Sequence, residues 1–234
     1  LGLVENSAVS KIFAQTKRSM HWLSAQTASG EGFWTNLKIE GSIPQSLDGT
    51  LFRTAPGETE RFGVRMNHLF DGDAFLSSWK FKNGKVELKA KYLNTPQRIR
   101  EQNAKQMIFD EFGTNAPKSQ GGKNQPSVNV IEWNGKLLGL SEGGLPTVIN
   151  SQTFDYEGET NFRNVPKNLS FTAHPRIDPK TGDLFAWGFE KGPESKIHVY
   201  QVHRQSNSAK LLYKYQPTGF FMIHDAILTE NFFI

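Results

Sequence analysis

Six histidines, His21, His68, His174, His198, His203 and His224, are spread along a 234-residue chain that contains no cysteine. Disulfides, thiolate metal sites and cysteine nucleophiles are therefore excluded together, which leaves His, Asp and Glu as the only strong metal ligands. Taken singly, a histidine is more often a surface or hydrogen-bonded core residue than a ligand, so context must separate the six. His198 and His203 lie five apart on one strand, face opposite sides of the sheet and cannot share a metal there; both read as structural or surface residues. His21 sits beside Trp22 with nothing nearby that suggests chemistry. His68 stands in NHLFDGDAF (Asn67 to Phe75) next to Asp71 and Asp73, but the other carboxylates of a calcium loop are missing, and a tight turn centred on Gly72 explains the stretch more simply.

His174 and His224 are the remaining pair. Each follows a strand-like run, Ser170 to Ala173 and Phe220 to Ile223, and they stand 50 residues apart, close to the ~40 to 50 residues of a propeller blade. In that fold they would occupy equivalent places in adjacent blades. Inner strands line the central channel of a propeller, so one histidine from each blade could point at a common axial metal. The geometry is conditional on the fold.

The elements that must position these histidines read as strands. After a mixed leader over residues 1–35 with helical potential, the chain settles into short apolar segments broken by turn signals, the pattern of an antiparallel β protein. Ala74 to Phe81 and Lys85 to Leu93 flank Asn83-Gly84. Val128 to Trp133 and Lys136 to Leu140 flank Asn134-Gly135, and both Asn-Gly pairs suit a primed two-residue turn. Ser170 to Ala173 leads through Asp178-Pro179-Lys180-Thr181-Gly182 into Leu184 to Phe189; Lys196 to Val202 turns near Ser206-Asn207 into Lys210 to Tyr215. The last run turns at Thr229-Glu230-Asn231. Residues 36–234 then form one β domain, a sandwich, barrel or propeller, with a polar, Gly- and Lys-rich excursion over 97–124. An apolar island in that excursion, Met107, Ile108, Phe109 and Phe112, is open to two readings: a patch for a membrane or tunnel mouth, or a loop packed on its own domain.

The totals bound the class. A hydrophobic content of 37% with 12% aromatics is enough for a core. No apolar run approaches the roughly 20 residues needed to cross a bilayer, and peripheral attachment stays open. The net charge is +4, but Lys and Arg are scattered among Asp and Glu, the pattern of a solvated surface with no nucleic-acid partner.

Five segments in order, GTLFRTAPG (Gly49 to Gly57), HLFDGDAFL (His68 to Leu76), LLGLSEGGLP (Leu137 to Pro146), SFTAHPRIDPKTGDLFAWG (Ser170 to Gly188) and HDAILTENFF (His224 to Phe233), resemble the carotenoid cleavage oxygenases. The likeness runs from about Asn36 to the end. It implies an all-β, seven-bladed β-propeller, of which this chain supplies about the first half of the blades, with a non-haem Fe(2+) held by four histidines on the axis. His174 matches the first ligand, His224 the second, and Glu142 a glutamate that hydrogen-bonds the outer nitrogen of a ligand histidine, here assigned to His224. The third and fourth ligands belong to the other half, so the chain alone is expected to be inactive. The implied reaction inserts dioxygen across a conjugated C=C bond of a carotenoid or apocarotenoid and releases two carbonyl products, at a cytoplasmic location with peripheral membrane contact left open. Stilbene-cleaving relatives look as if they place a lysine where Ser141 stands here, which favours the polyene. The alternatives are stilbene cleavage, a retinoid isomerohydrolase and a non-catalytic lipid-binding propeller. Asp225 is left without a firm role, with a turn residue and a ring-orienting partner as its two readings.

Overall fold

The computed structural model describes residues 26–190, 196–219 and 223–234. Most of the leader, with His21, lies outside them. Gly32–Trp34 forms β1, so the first sheet takes in residues that precede 36. β1 is the outer strand of a sheet ordered β1-β6-β5-β2, with β2 at Gly49–Pro56, β5 at Ala74–Lys82 and β6 at Lys85–Tyr92. The second sheet is a meander of β7 (Asn129–Trp133), β8 (Lys136–Leu140), β9 (Thr147–Ile149) and β10 (Tyr156–Glu159). The third runs β11 (Arg176–Ile177), β12 (Leu184–Glu190), β13 (Lys196–His203) and β14 (Ser208–Tyr215). All pairs in these sheets are antiparallel. A short hairpin, β3 (Glu60–Arg61) and β4 (Val64–Arg65), interrupts the first.

Local sequence explains the hairpins. Asn83 and Gly84 have φ of 50° and 69°, and Asn134 and Gly135 have 52° and 73°; positive φ at both central residues is what a primed turn needs, and Asn-Gly supplies it. Lys82 then pairs with Lys85, and Trp133 with Lys136.

Side-chain alternation shows why these sheets stack as blades. In β8, Leu138 and Leu140 enter a core shared with Leu184, Ala186, Tyr200 and Val202 of the third sheet, whereas Leu137 enters a core with Ala74 and Leu76 of the first. In β12, Leu184 and Ala186 face the second sheet while Trp187 and Phe189 face Ala226 and the C-terminal residues. A strand buried on both faces reads as a continuous apolar run, which is how β8 and β12 appear. Successive inner segments are tied side by side. Thr54 Oγ1 donates to Pro126 O (3.0 Å), and Asn129 Nδ2 donates to Ala173 O (2.9 Å).

The 97–124 excursion begins with α1 (Pro96–Ala104), capped by Thr95 Oγ1, which accepts Arg98 N–H at 3.1 Å. Met107, Ile108 and Phe109 are buried, and Phe112 is exposed with its ring tilted against that of His68. The scattered charges read as a solvated surface, but seven of them form one buried ion network against this excursion: Glu58, Arg61, Asp73, Arg98, Glu101, Glu111 and Lys123. Arg61 reaches all four acids, at 2.6 Å to Asp73, 2.5 Å to Glu111, 3.2 Å to Glu101 and 3.3 Å to Glu58. Arg98 pairs with Asp73 (2.6 Å) and Glu58 (3.0 Å), and Lys123 with Asp73 and with Glu101 (2.7 Å). Glu101 also accepts the N–H groups of Ile108 and Phe109, and Glu111 that of Gly72. The cluster therefore fastens the excursion to the first blade.

Four carboxylates face three cations there, and Glu58 is the odd one. Burial, then the charge of Asp73, pushes its carboxyl above the ordinary value of 4.5. Burial works against the charge of Asp73 as well, yet Lys123, Arg61 and Arg98 together hold it below its ordinary 3.8. The signs differ. A raised Glu58 makes the native state bind a proton more readily than the unfolded chain, so stability rises as pH falls from neutrality towards 4.5. The contribution of Asp73 is full above 3.8 and is lost as pH falls through its lower native value. Glu58→Gln should leave stability at pH 7 unchanged or raise it by about 1 kcal/mol, and should flatten the acid-side rise in urea melts from pH 7 to 5.

Candidate metal centre

His174 is delivered by residues 170–173, which lie across β12 without forming a regular strand. Ser170 N donates to Phe189 O (3.3 Å), Thr172 N to Trp187 O (2.8 Å), and His174 N to the buried Thr172 Oγ1 (2.9 Å). The approach depends on Gly188: a Cβ there would meet Ser170 O at 2.1 Å, a backbone atom that cannot swing aside. Gly188→Ala should cost about 1–3 kcal/mol in thermal unfolding as the segment bearing His174 is pushed off β12.

Phe220 to Ile223 read as an inner strand ending at His224; residues 220–222 lie outside the described ones, and Ile223 to Ile227 adopt no regular strand. Both histidines thus sit in connections just ahead of their paired segments. His224 is followed by a narrow hairpin, with a Leu228–Phe233 bridge, reciprocal bonds between Ile227 and Ile234, and Thr229 N donating to Phe232 O (2.8 Å). Ile223, Ala226 and Phe233 pack on Trp187 and Ile197, and Trp187 Nε1 donates to Ile223 O at 3.2 Å. The third blade therefore anchors the residues on either side of His224.

The two imidazoles meet edge to face, with ring centroids 4.6 Å apart and planes at 74°. That spacing is also ordinary for packed rings; the nitrogens carry more information. His174 Nε2 is buried with no hydrogen-bond partner among the described residues. Glu142 Oε1 lies 2.5 Å from His224 Nδ1. A carboxylate only accepts, so the proton of that bond sits on Nδ1, which leaves Nε2 as the nitrogen of the ring open to a ligand. Arg176 grips the chain beyond His224, through Nη2 to Asp225 Oδ1 (2.5 Å) and Nε to Ala226 O (2.7 Å). Asp225 is held below its ordinary value first by the Ala226 N–H that it accepts, and also by the charge of Arg176. Among the described residues no group of three or more His, Asp or Glu forms a metal site. The pair His174 and His224, with Glu142 behind the second ring, is what the chain brings together.

The other candidates lie elsewhere. His198 is buried in the third blade against Tyr200 OH (3.1 Å) and Glu190 (3.0 Å), and burial pushes its pKa down. His203 Nδ1 is 3.1 Å from Asp183, which also accepts Arg204 N. His68 Nδ1 accepts the N–H of Phe70, while Asp71 binds Thr114 and Gly113, so HLFDGD is a loop anchor with Gly72 at φ 109°. Thr172, Gly188 and Arg176 had no sequence signal of their own type. Arg176 had a positional one: it stands 50 residues before Ala226, the interval that separates the two histidines.

Three four-stranded antiparallel sheets packed on one another, with two imidazoles at neighbouring connections, form part of a β-propeller. The sequence model described as retinal pigment epithelial membrane protein (RPE65) matches residues 25–234, and the chain belongs to that family, which includes the carotenoid cleavage oxygenases. Carotenoid cleavage oxygenase 1 of Neurospora crassa is 32% identical over 208 residues, covering 87% of this chain and 39% of the relative. Isoeugenol monooxygenase of Pseudomonas putida is 29% identical over 205 residues, covering 85% of this chain and 42% of the relative. A cobalt-substituted structure of the Synechocystis apocarotenoid oxygenase superposes with a TM-score of 0.79 at 28% identity, over 90% of this chain and 47% of that one. The chain spans less than half the length of these relatives. Among the described residues no helix is long and apolar enough to cross a membrane.

Proposed function

We propose that the protein carrying this chain is an Fe(II)-dependent dioxygenase that cleaves a conjugated C=C bond of a carotenoid or apocarotenoid into two carbonyl products. His174 and His224 are two of the metal's imidazole ligands. The observation that carries the reading is the buried, unpartnered Nε2 of His174 beside a second imidazole whose own Nε2 is freed by Glu142. A buried polar atom without a partner is costly, and a metal ion satisfies it. Ferrous iron in a neutral nitrogen set supplies, when bound, open positions at which dioxygen and an alkene approach together. Glu142 fixes the tautomer and rotation of the His224 ring and brings a negative charge that offsets the cation. Thr172 holds the backbone of His174, and the third blade holds that of Ile223. The remaining ligands come from outside the described residues.

Ser141 supports the polyene reading. Its hydroxyl is buried, donates to Asn124 Oδ1 (3.0 Å) and accepts Gly143 N (3.1 Å), so it is committed to its own loop. The names of the isoeugenol and resveratrol oxygenases among the similar proteins favour a second reading, cleavage of a hydroxylated stilbene or phenylpropanoid. Incubating the natural full-length protein with Fe(II), labelled dioxygen and either a carotenoid or a stilbene tests both. Labelled carbonyl fragments from the polyene are expected. Fragments from the stilbene alone favour the second reading, and unlabelled isomerised or hydrolysed product contradicts both.

A further inference from the structure

Segments 174–180 and 224–230 lie side by side at a constant offset. The two imidazoles meet across it, Arg176 bonds Ala226 O, and Lys180 Nζ bonds Glu230 Oε1 at 2.5 Å, each pair 50 residues apart. Arg176 stands two residues after His174, and Asp225 one residue after His224. The guanidinium makes two contacts there, one to the Asp225 carboxylate and one to the Ala226 carbonyl, while the same carboxylate oxygen accepts the Ala226 N–H at 2.8 Å. A planar fork that grips two oxygens fixes direction as well as distance.

We propose that Arg176 and Asp225 are positioning residues that set the separation of the two imidazoles, closing a short loop from His174 through Arg176 and Asp225 back to His224. The inference rests on the metal-ligand reading of that pair. Glu142 fixes the rotation of the His224 ring from one side, and the Arg176 grip fixes its backbone from the other. The Arg176 and Asp225 side chains are 40% and 52% exposed. A partly exposed ion pair contributes little to stability, so the work of this one is geometric. The pair separates metal affinity from folding, which a merely structural contact would not do.

The test uses cobalt(II) as the probe on the natural full-length protein, stripped of metal. Chelator competition and the visible absorption of bound cobalt are measured beside the melting temperature of the metal-free form. Arg176→Gln and Asp225→Asn should each weaken cobalt binding by about ten-fold and alter its spectrum, with the metal-free melting temperature moving by less than about 2 °C. Arg176→Lys, which keeps the charge but not the fork, should fall between wild type and Arg176→Gln. Unchanged cobalt affinity and spectrum in both variants overturn the proposal, as does a loss of affinity matched by a large fall in the metal-free melting temperature. His224→Ala is the control: if it binds cobalt as wild type does, the ligand reading fails. If it loses cobalt while the Arg176 and Asp225 variants do not, only the positioning role fails.

Discussion

His174→Ala and His224→Ala should each reduce metal affinity and substrate turnover of the natural full-length protein by more than about 100-fold, with the fold intact by circular dichroism. The magnitude follows from the role. Loss of a residue that only orients a ligand costs about 10–100-fold in affinity or activity, so loss of a ligand costs more. The two replacements differ in their side effects. His174 Nε2 is buried and unpartnered, so alanine there removes a desolvated polar atom, and the metal-free variant should melt no lower than wild type by more than about 1 kcal/mol equivalent. His224→Ala leaves the Glu142 carboxylate, which is only 21% exposed, without its partner. Glu142→Gln, which keeps the shape but not the charge, should fall in the 10–100-fold range. A His174→Ala protein that retains its metal and its activity would sink the site as drawn.

The second large effect is on folding. Arg61→Met should lower unfolding free energy by about 3–5 kcal/mol in urea titration, a large share of the roughly 5–15 kcal/mol that holds an ordinary domain together. Arg61 bridges Glu58, Asp73, Glu101 and Glu111, and its removal leaves four buried carboxylates to two cations. Replacing a whole ion pair by apolar groups is often harmless; removing one partner is not, because the other charge stays buried and uncompensated. Adding Glu58→Gln to Arg61→Met should therefore recover about 2 kcal/mol or more, beyond the gain of at most about 1 kcal/mol expected from Glu58→Gln alone, a non-additivity expected of residues in one network. Simple additivity of the two changes would show that the charges act independently.

How legible these features are in the sequence follows from their range. The Asn-Gly turns are local and stand where the residues place them, at Asn83-Gly84 and Asn134-Gly135. Burial of β8 and β12 on both faces is visible as unbroken apolar runs. The fold class follows from these together with the family segments. The approach of His174 to His224, and of Glu142 to His224, could be anticipated from the repeat and from the resemblance, because a 50-residue interval is a blade. The ion network could not. All but one of its pairs join residues 12 to 50 positions apart, such as Arg98 with Asp73 and Arg61 with Glu111, and nothing in a scattered charge pattern tells a buried Arg61 from an exposed Arg65. The same holds for Gly188, whose close approach to Ser170 is a tertiary fact. Asp225 gains a partner only once the offset between segments 174–180 and 224–230 is seen in three dimensions.

The most direct test of the central claim is anomalous diffraction at the iron edge from crystals of the natural full-length protein loaded with Fe(II). The account predicts one strong peak within bonding distance of both His174 Nε2 and His224 Nε2, with Glu142 still on His224 Nδ1. A peak elsewhere, or none beside these two nitrogens in iron-loaded crystals, would contradict it.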